Sequence, residues 1–275
     1  MTKIKLALCQ MNVIDNKEKN LEEACSMINE SASQNVDFIV LPEMFNCPYS
    51  NDKFIEYAEE ENGSLTLNKI SELAKKNNVY ILAGSIPEKE NDRLYNTSYL
   101  FDKQGDIVAK HRKMHLFDID VKGKITFKES DVLTAGDNIT IANTEFGKIG
   151  IGICYDVRFP ELARIMVENG ALILFYPGAF NMTTGPAHWE LLFRSRALDN
   201  QVYCVGVAPA LNKDASYHSF GHSIIANPWG EIIAEADEKE NLIISEIDLD
   251  EIKRIREELP LLKNKREDLY EIERK

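Results

Sequence analysis

The chain has 275 residues, enough for one large α/β domain or two small ones. Hydrophobic residues make up 44% and charged residues 28%, an ordinary globular balance that excludes long disorder. A net charge of −13 argues against a nucleic-acid partner, because phosphate binding needs clustered Lys and Arg; it leaves the local charge of a pocket open.

In chain order, Lys3 to Met11 reads as a strand and Lys17 to Gln34 as a helix, with Leu21, Ala24, Met27 and Ile28 on one face. No apolar signal region precedes that strand, and no apolar run is long enough to span a bilayer. The five cysteines, at 9, 25, 47, 154 and 204, are odd in number and lack a C-x-x-C pair. They fit neither a disulfide framework nor a zinc site, so the expected compartment is the reducing cytoplasm.

Asp37 to Leu41 is a second strand stopped by Pro42; Leu65 to Lys76 is a helix and Val79 to Ile86 a strand. Leu94 to Phe101 pairs with Ile107 to Lys110 across Lys103-Gln104-Gly105-Asp106. Residues 111 to 138 read as irregular. Strands follow at Ile139 to Ala142 and Lys148 to Cys154, then a helix from Pro160 stopped by Gly170. Ala171 to Tyr176 is a strand, His188 to Asp199 a helix and Val202 to Ala208 a strand. Ser223 to Ala226 and Ile232 to Ala236 flank the turn Asn227-Pro228-Trp229-Gly230; Leu242 to Ile247 and a helix from Leu249 to Glu258 close the series. A sequence of strand, helix, strand and polar elbow occurs twice, ending near Glu43 and near Gly178, which hints at two similar layers. With no Ser/Gly/Pro-rich linker, one domain over residues 1–262 is expected, followed by a charged tail, 263–275, packing on a partner subunit.

Three segments place an ionisable group where chemistry could use it. Cys154 ends an apolar strand in Gly150-Ile151-Gly152-Ile153-Cys154-Tyr155-Asp156 and is expected to be exposed at a strand-to-helix elbow, where helix N–H groups favour a thiolate. A buried core cysteine is the bland alternative. Glu43, directly after Leu41-Pro42, should be partly desolvated, which raises a carboxyl pKa and makes a usable base; a cap or loop carboxylate is the alternative. The run Lys110-His111-Arg112-Lys113-Met114-His115 would ordinarily be a solvated face, but it leads into Leu116-Phe117, so one cation should point inward to stabilise negative charge on oxygen.

Together, Glu43 in LPEMF, Lys113 in HRKMHLFD and Cys154 in GICYD resemble the Glu-Lys-Cys signatures of the nitrilase superfamily of carbon–nitrogen hydrolases. Glu129, in Phe127-Lys128-Glu129-Ser130, matches that family's additional glutamate. The stretches FNCPY, GSIPE, LYNTSYLFD, YPGAFNMTTGPAHWELL and LPLLKNKREDLY are most similar to the omega-amidase branch; Lys122 and Val157 depart from the residues expected there. The resemblance implies a four-layer α-β-β-α sandwich with two mixed sheets and helices outside, and a homodimer.

It also implies Glu43 as base and then acid, Cys154 as nucleophile, Lys113 and the Tyr155 backbone N–H as oxyanion donors, and Glu129 as the orienting carboxylate. No metal or organic cofactor is called for. The implied substrates are small dicarboxylic acid monoamides. The distal carboxylate has Tyr49, Arg158, His188 and Arg194 as candidate partners, with Phe117 as an apolar wall. Arg158 could equally tie down the elbow, Arg194 could pair with a neighbouring acid, and His188 could cap its helix. Rival readings are a deaminated glutathione amidase or N-carbamoyl amine amidohydrolase, a Cys-His thiol hydrolase, and a non-catalytic binding protein on the same fold.

Overall fold

The computed structural model describes residues 3–273. Met1 and Thr2, at the start of the expected domain, and Arg274 and Lys275, at the end of the expected tail, lie outside the described residues. The first half runs β1 (Lys3–Gln10), α1 (Lys17–Ser33), β2 (Phe38–Val40), α2 (Asn51–Tyr57), β3 (Glu59–Glu60), α3 (Leu65–Asn77), β4 (Tyr80–Glu90), β5 (Arg93–Phe101) and β6 (Ile107–Arg112). A separate hairpin follows, β7 (Asp118–Val121) with β8 (Ile125–Lys128). The second half runs β9 (Thr140–Thr144), β10 (Gly147–Ile151), α4 (Pro160–Glu168), β11 (Ala171–Pro177), α5 (Gly185–Asn200), β12 (Tyr203–Val207), β13 (Ile224–Ala226), β14 (Ile232–Glu235), β15 (Asn241–Asp248) and α6 (Leu249–Glu258).

The strands form two mixed sheets of one plan. The first has the order β15-β1-β2-β4-β5-β6, the second β14-β13-β12-β11-β10-β9. In each, three central strands are parallel and the flanking strands antiparallel: β1, β2 and β4 in the first, β10, β11 and β12 in the second. Because alternate residues of a strand face opposite sides, each sheet has two apolar faces to cover.

The inner faces cover one another. Ile4, Leu6, Leu8, Phe38 and Val40 of the first sheet share a buried cluster with Ile149, Ile151, Ile173, Phe175 and Val205 of the second. The outer faces are covered by helices: Leu21, Ala24, Met27 and Ile28 of α1 and Leu67, Ile70 and Leu73 of α3 pack on the first sheet. Leu162, Ala163 and Met166 of α4 and Trp189 and Phe193 of α5 pack on the second. The result is the α-β-β-α sandwich expected, with the repeated half-plan seen in the sequence.

Local signals set the helix starts. Asn16 Oδ1 accepts from the Lys19 N–H at 2.9 Å, Ser64 Oγ accepts from the Leu67 N–H at 2.9 Å, and Pro160 opens α4. Two readings need correction. Residues 111–138 are not irregular throughout, since they contain the β7–β8 hairpin; its short alternation of Asp, Ile and Val lies among charged residues and gives only a weak strand signal. Cys154 is not followed directly by an α-helix: a short 3₁₀ turn, Cys154–Arg158, precedes α4.

Candidate active site

The parallel strands of both sheets point their carboxyl ends toward one region, where open α/β sheets characteristically collect ligand groups. Glu43 follows β2 from the first sheet, and Lys113 is the residue after β6, its N–H still donating to Asn96 O of β5 at 2.8 Å. Cys154 follows β10 of the second sheet, and Glu129 follows the β7–β8 hairpin. All four are buried, and the structure brings them together.

Lys113 Nζ lies 2.9 Å from Glu43 Oε1 and donates to Glu129 Oε1 at 2.9 Å. The Tyr49 hydroxyl donates to Glu129 Oε1 at 2.7 Å and accepts from Lys113 Nζ at 3.3 Å. The Phe117 N–H donates to Glu129 Oε2 at 2.6 Å. Glu43 Oε1 also accepts from Asn96 Nδ2 at 2.8 Å, and Oε2 accepts from the Ala179 N–H at 2.7 Å. Cys154 completes the cluster, packed against Gly178, next to the Ala179 amide that donates to Glu43. Gly178 makes room: a Cβ there would come within 3.2 Å of Cys154 Cα.

Burial dominates the electrostatics. It raises the Glu43 carboxyl above its ordinary value, with Lys113 opposing and Glu129 adding to the rise. Burial works against the Lys113 charge, but Glu129 and Glu43 outweigh it and hold the ammonium well above the ordinary lysine value. Burial and then the Glu43 charge push the Cys154 thiol well above its usual value, Lys113 offsetting part of this. This corrects the sequence expectation of an exposed, dipole-stabilised thiolate. Cys154 is only 4% exposed and sits at the head of a five-residue turn, so the resting group is a thiol. Its φ of +48° lies in the left-handed region, which costs a non-glycine residue about 1 kcal/mol or more and persists only where surroundings enforce it.

The remaining candidates divide. Tyr49 lies inside the cluster, its ring 4.5 Å from that of Tyr217. The Phe117 ring packs 5.4 Å from Tyr155, and the Tyr155 amide lies in the first turn of the 3₁₀ segment, among the N–H groups a helix start leaves unpaired. The Arg158 guanidinium lies over the Phe180 ring at 4.6 Å and contacts His188 Nδ1 at 3.1 Å; its buried Nε lacks a hydrogen-bond partner. Its backbone lies four residues past Cys154, at the end of the same 3₁₀ turn. Arg194 does not join the cluster. Its side chain is 52% exposed, donating to Gly230 O at 2.8 Å and pairing with Glu190 at 3.0 Å.

Sequence reasoning missed Asn96, the Ala179 amide, Tyr217 and Asp156. An Asn within the otherwise strand-like Leu94-Tyr95-Asn96-Thr97 was a usable signal; the amide of Ala179 carried none. A cavity of about 500 Å³ reaches Glu43, Tyr49, Ala179 and Tyr217 from the side of Asn12 and Asn212. Among the described residues, no group of three or more His, Cys, Asp or Glu side chains is arranged to hold a metal ion, and no helix is long and apolar enough to cross a membrane.

Known proteins resemble the chain over its whole length. Residues 5–257 match the carbon–nitrogen hydrolase family model. The omega-amidase NIT2 of Homo sapiens is 50% identical over 275 residues, covering 100% of this chain and 99% of its own length. Nitrilase homolog 2 of Dictyostelium discoideum is 49% identical, covering 98% of this chain and 82% of its own. Among solved structures, Saccharomyces cerevisiae Nit3, a member of branch 10 of the nitrilase superfamily, superposes with a TM-score of 0.88 at 42% identity, covering 96% of this chain and 97% of its own.

Proposed function

The chain belongs to the carbon–nitrogen hydrolase family, and from that premise we propose that it is an omega-amidase. Its substrates are small dicarboxylic acid monoamides such as 2-oxoglutaramate, 2-oxosuccinamate and succinamate, hydrolysed to the dicarboxylate and ammonia through a thioester on Cys154.

The observation that carries this reading is one ammonium, Lys113, buried between Glu43 and Glu129, with Cys154 packed beside the Gly178-Ala179 segment whose amide donates to Glu43. Glu43, its pKa raised by burial, takes the Cys154 proton as sulfur attacks the amide carbon. The carbonyl oxygen becomes an oxyanion that accepts from Lys113 and the Tyr155 N–H. Glu43 passes its proton to the departing nitrogen, and the carbon–nitrogen bond breaks to leave ammonia and the thioester. Water then gives a proton to Glu43 and its hydroxyl to the acyl carbon; the proton returns to sulfur as the carbon–sulfur bond breaks. Glu129, held by Tyr49 and the Phe117 amide, orients Lys113 throughout. Asn96 and the Ala179 amide hold Glu43 while it changes protonation state.

Arg158 reads the distal carboxylate. It is a cation at the end of the turn that Cys154 opens, with an unpartnered buried Nε, which a carboxylate would satisfy with a charge-assisted bond. His188, against the guanidinium, helps to set its orientation, and Phe117 walls the acyl chain. The protein acts as a homodimer in the cytoplasm, with a single domain over 1–262. Exposed Leu191 and Leu198 on α5, with Trp229, Leu261 and the tail's Leu269 and Tyr270, offer apolar surface to a second copy.

The test is ammonia release from 2-oxoglutaramate and succinamate, set against deaminated glutathione and an N-carbamoyl amine. Faster turnover of either comparison amide than of both monoamides would overturn the substrate assignment.

A further inference from the structure

Asp156 stands two residues past Cys154 and has no exposed surface, yet its two oxygens take four hydrogen bonds. Oδ1 accepts from the His115 N–H at 2.9 Å and from His115 Nδ1 at 2.8 Å. Oδ2 accepts from the Ile153 N–H at 2.9 Å and from His111 Nε2 at 3.0 Å. Only an ionised carboxylate offers acceptors on every side in this way; an amide would turn an NH₂ toward two of these donors.

The placement of the donors matters more than their number. His111 and His115 bracket Lys113 at two residues on either side, so the carboxylate grips the strand end that carries the ammonium both before and after it. The Ile153 N–H belongs to the turn that carries the thiol. Asp156 thereby joins the first sheet's Lys113 to the second sheet's Cys154. The rear of the same turn is held separately, by Arg196 Nε donating to Val157 O at 2.8 Å and Nη2 to Arg158 O at 3.1 Å. The strained Cys154 backbone sits at the front, on the Asp156 side.

We propose that Asp156, with His111 and His115, is a positioning unit that fixes Cys154 and the Tyr155 amide against Lys113, so that all three meet one carbonyl. This rests on the roles given above to Cys154 and Lys113. Loosening the unit lets the thiol and the ammonium drift relative to each other, while Arg196 keeps Arg158 and the carboxylate end of the pocket in place. The loss therefore falls on the chemical step rather than on binding.

The test compares Asp156→Asn, His115→Ala and His115→Asn, the last of which keeps a donor near the position of Nδ1. Steady-state constants with succinamate, melting temperature, and the rate at which iodoacetamide labels Cys154 (read by peptide mass) are measured for each. For Asp156→Asn, kcat falls about 100-fold, the scale of an ångström-level misplacement, and KM stays within about threefold. His115→Ala loses about tenfold in kcat and His115→Asn recovers most of it. Labelling follows the same order and needs no substrate, so it decides the matter even if succinamate proves not to be turned over. Equal values for His115→Ala and His115→Asn, or an unchanged labelling rate in Asp156→Asn, would overturn the proposal. So would losses that track melting temperature alone. If Asp156→Asn does not fold, the His115 pair decides.

Discussion

Replacing Lys113 by Met tests whether the cluster is held by charge balance. The side chain is fully buried between Glu43 and Glu129, at 2.9 Å from each. Methionine matches its length and removes the cation, leaving two buried carboxylates without their shared counter-ion. Breaking a buried ion pair by deleting one partner costs about 3–5 kcal/mol, a large share of a total stability of about 5–15 kcal/mol. At about 2–4 °C per kcal/mol for a chain near this size, the melting temperature falls by roughly 10 °C at neutral pH. The sign with pH follows from Glu43, which burial already raises and Lys113 lowers. Without Lys113 its folded pKa climbs further above the unfolded value near 4.3. A carboxyl raised on folding opposes folding above its folded pKa, and that penalty disappears as pH falls to the unfolded value. The gap in melting temperature between the variant and the parent should therefore narrow from pH 8 to pH 5, and adding Glu129→Gln to the variant should restore part of the loss. Scanning calorimetry across that range is the assay. A variant that melts within about 2 °C of the parent at pH 8, or a gap that does not change with pH, would refute the charge-balance account.

Cys154→Ala abolishes turnover and leaves the circular dichroism spectrum unchanged; acid-quenched parent enzyme shows an acyl adduct on the Cys154 peptide, and the variant shows none. Arg158→Met weakens the charge-assisted bond to the distal carboxylate, worth about 1.5–3 kcal/mol, so KM for succinamate rises about 10- to 100-fold. Turnover of butyramide, which lacks that carboxylate, stays within about threefold, and equal losses on both amides would remove Arg158 from the reading role. Because burial raises the Glu43 carboxyl, the acid limb of kcat/KM lies above the ordinary glutamate value and activity falls as pH drops through it; an acid limb at the ordinary value would count against Glu43 as the base.

How much of this was legible in the sequence depended on distance along the chain. The helix over Lys17–Ser33 and the strands around Phe38–Val40 and Ala171–Pro177 follow from local periodicity and caps. The strand-end positions of Glu43, Lys113 and Cys154 were also local. Their meeting was not: it depends on two sheets packing face to face, and only their combined resemblance to a family joined them. The buried position of Cys154 was not legible because Cys154 itself takes a left-handed conformation without being a glycine. Met44, directly after Glu43, does the same at φ +52°. Nothing in a lone Cys or Met announces that. Asp156 escaped notice for the opposite reason: an Asp after a strand reads as an ordinary cap until its His partners, 41 and 45 residues away, are seen.

The corrected state of the thiol changes how activation must work. With Lys113 charged and Glu43 and Glu129 ionised, the cluster carries one negative charge in surroundings that disfavour any. Losing the Cys154 proton to solvent would double that charge, which is why burial and Glu43 hold the thiol protonated. Passing the same proton to Glu43 leaves the total unchanged. Proton transfer inside the site is therefore the low-cost route to a nucleophile, and it need occur only when a carbonyl is present to take up the sulfur's electron pair. In the mechanism we propose, the negative charge then moves to an oxygen facing Lys113, which exchanges part of its hold on Glu43 for the oxyanion. A free thiolate is never required.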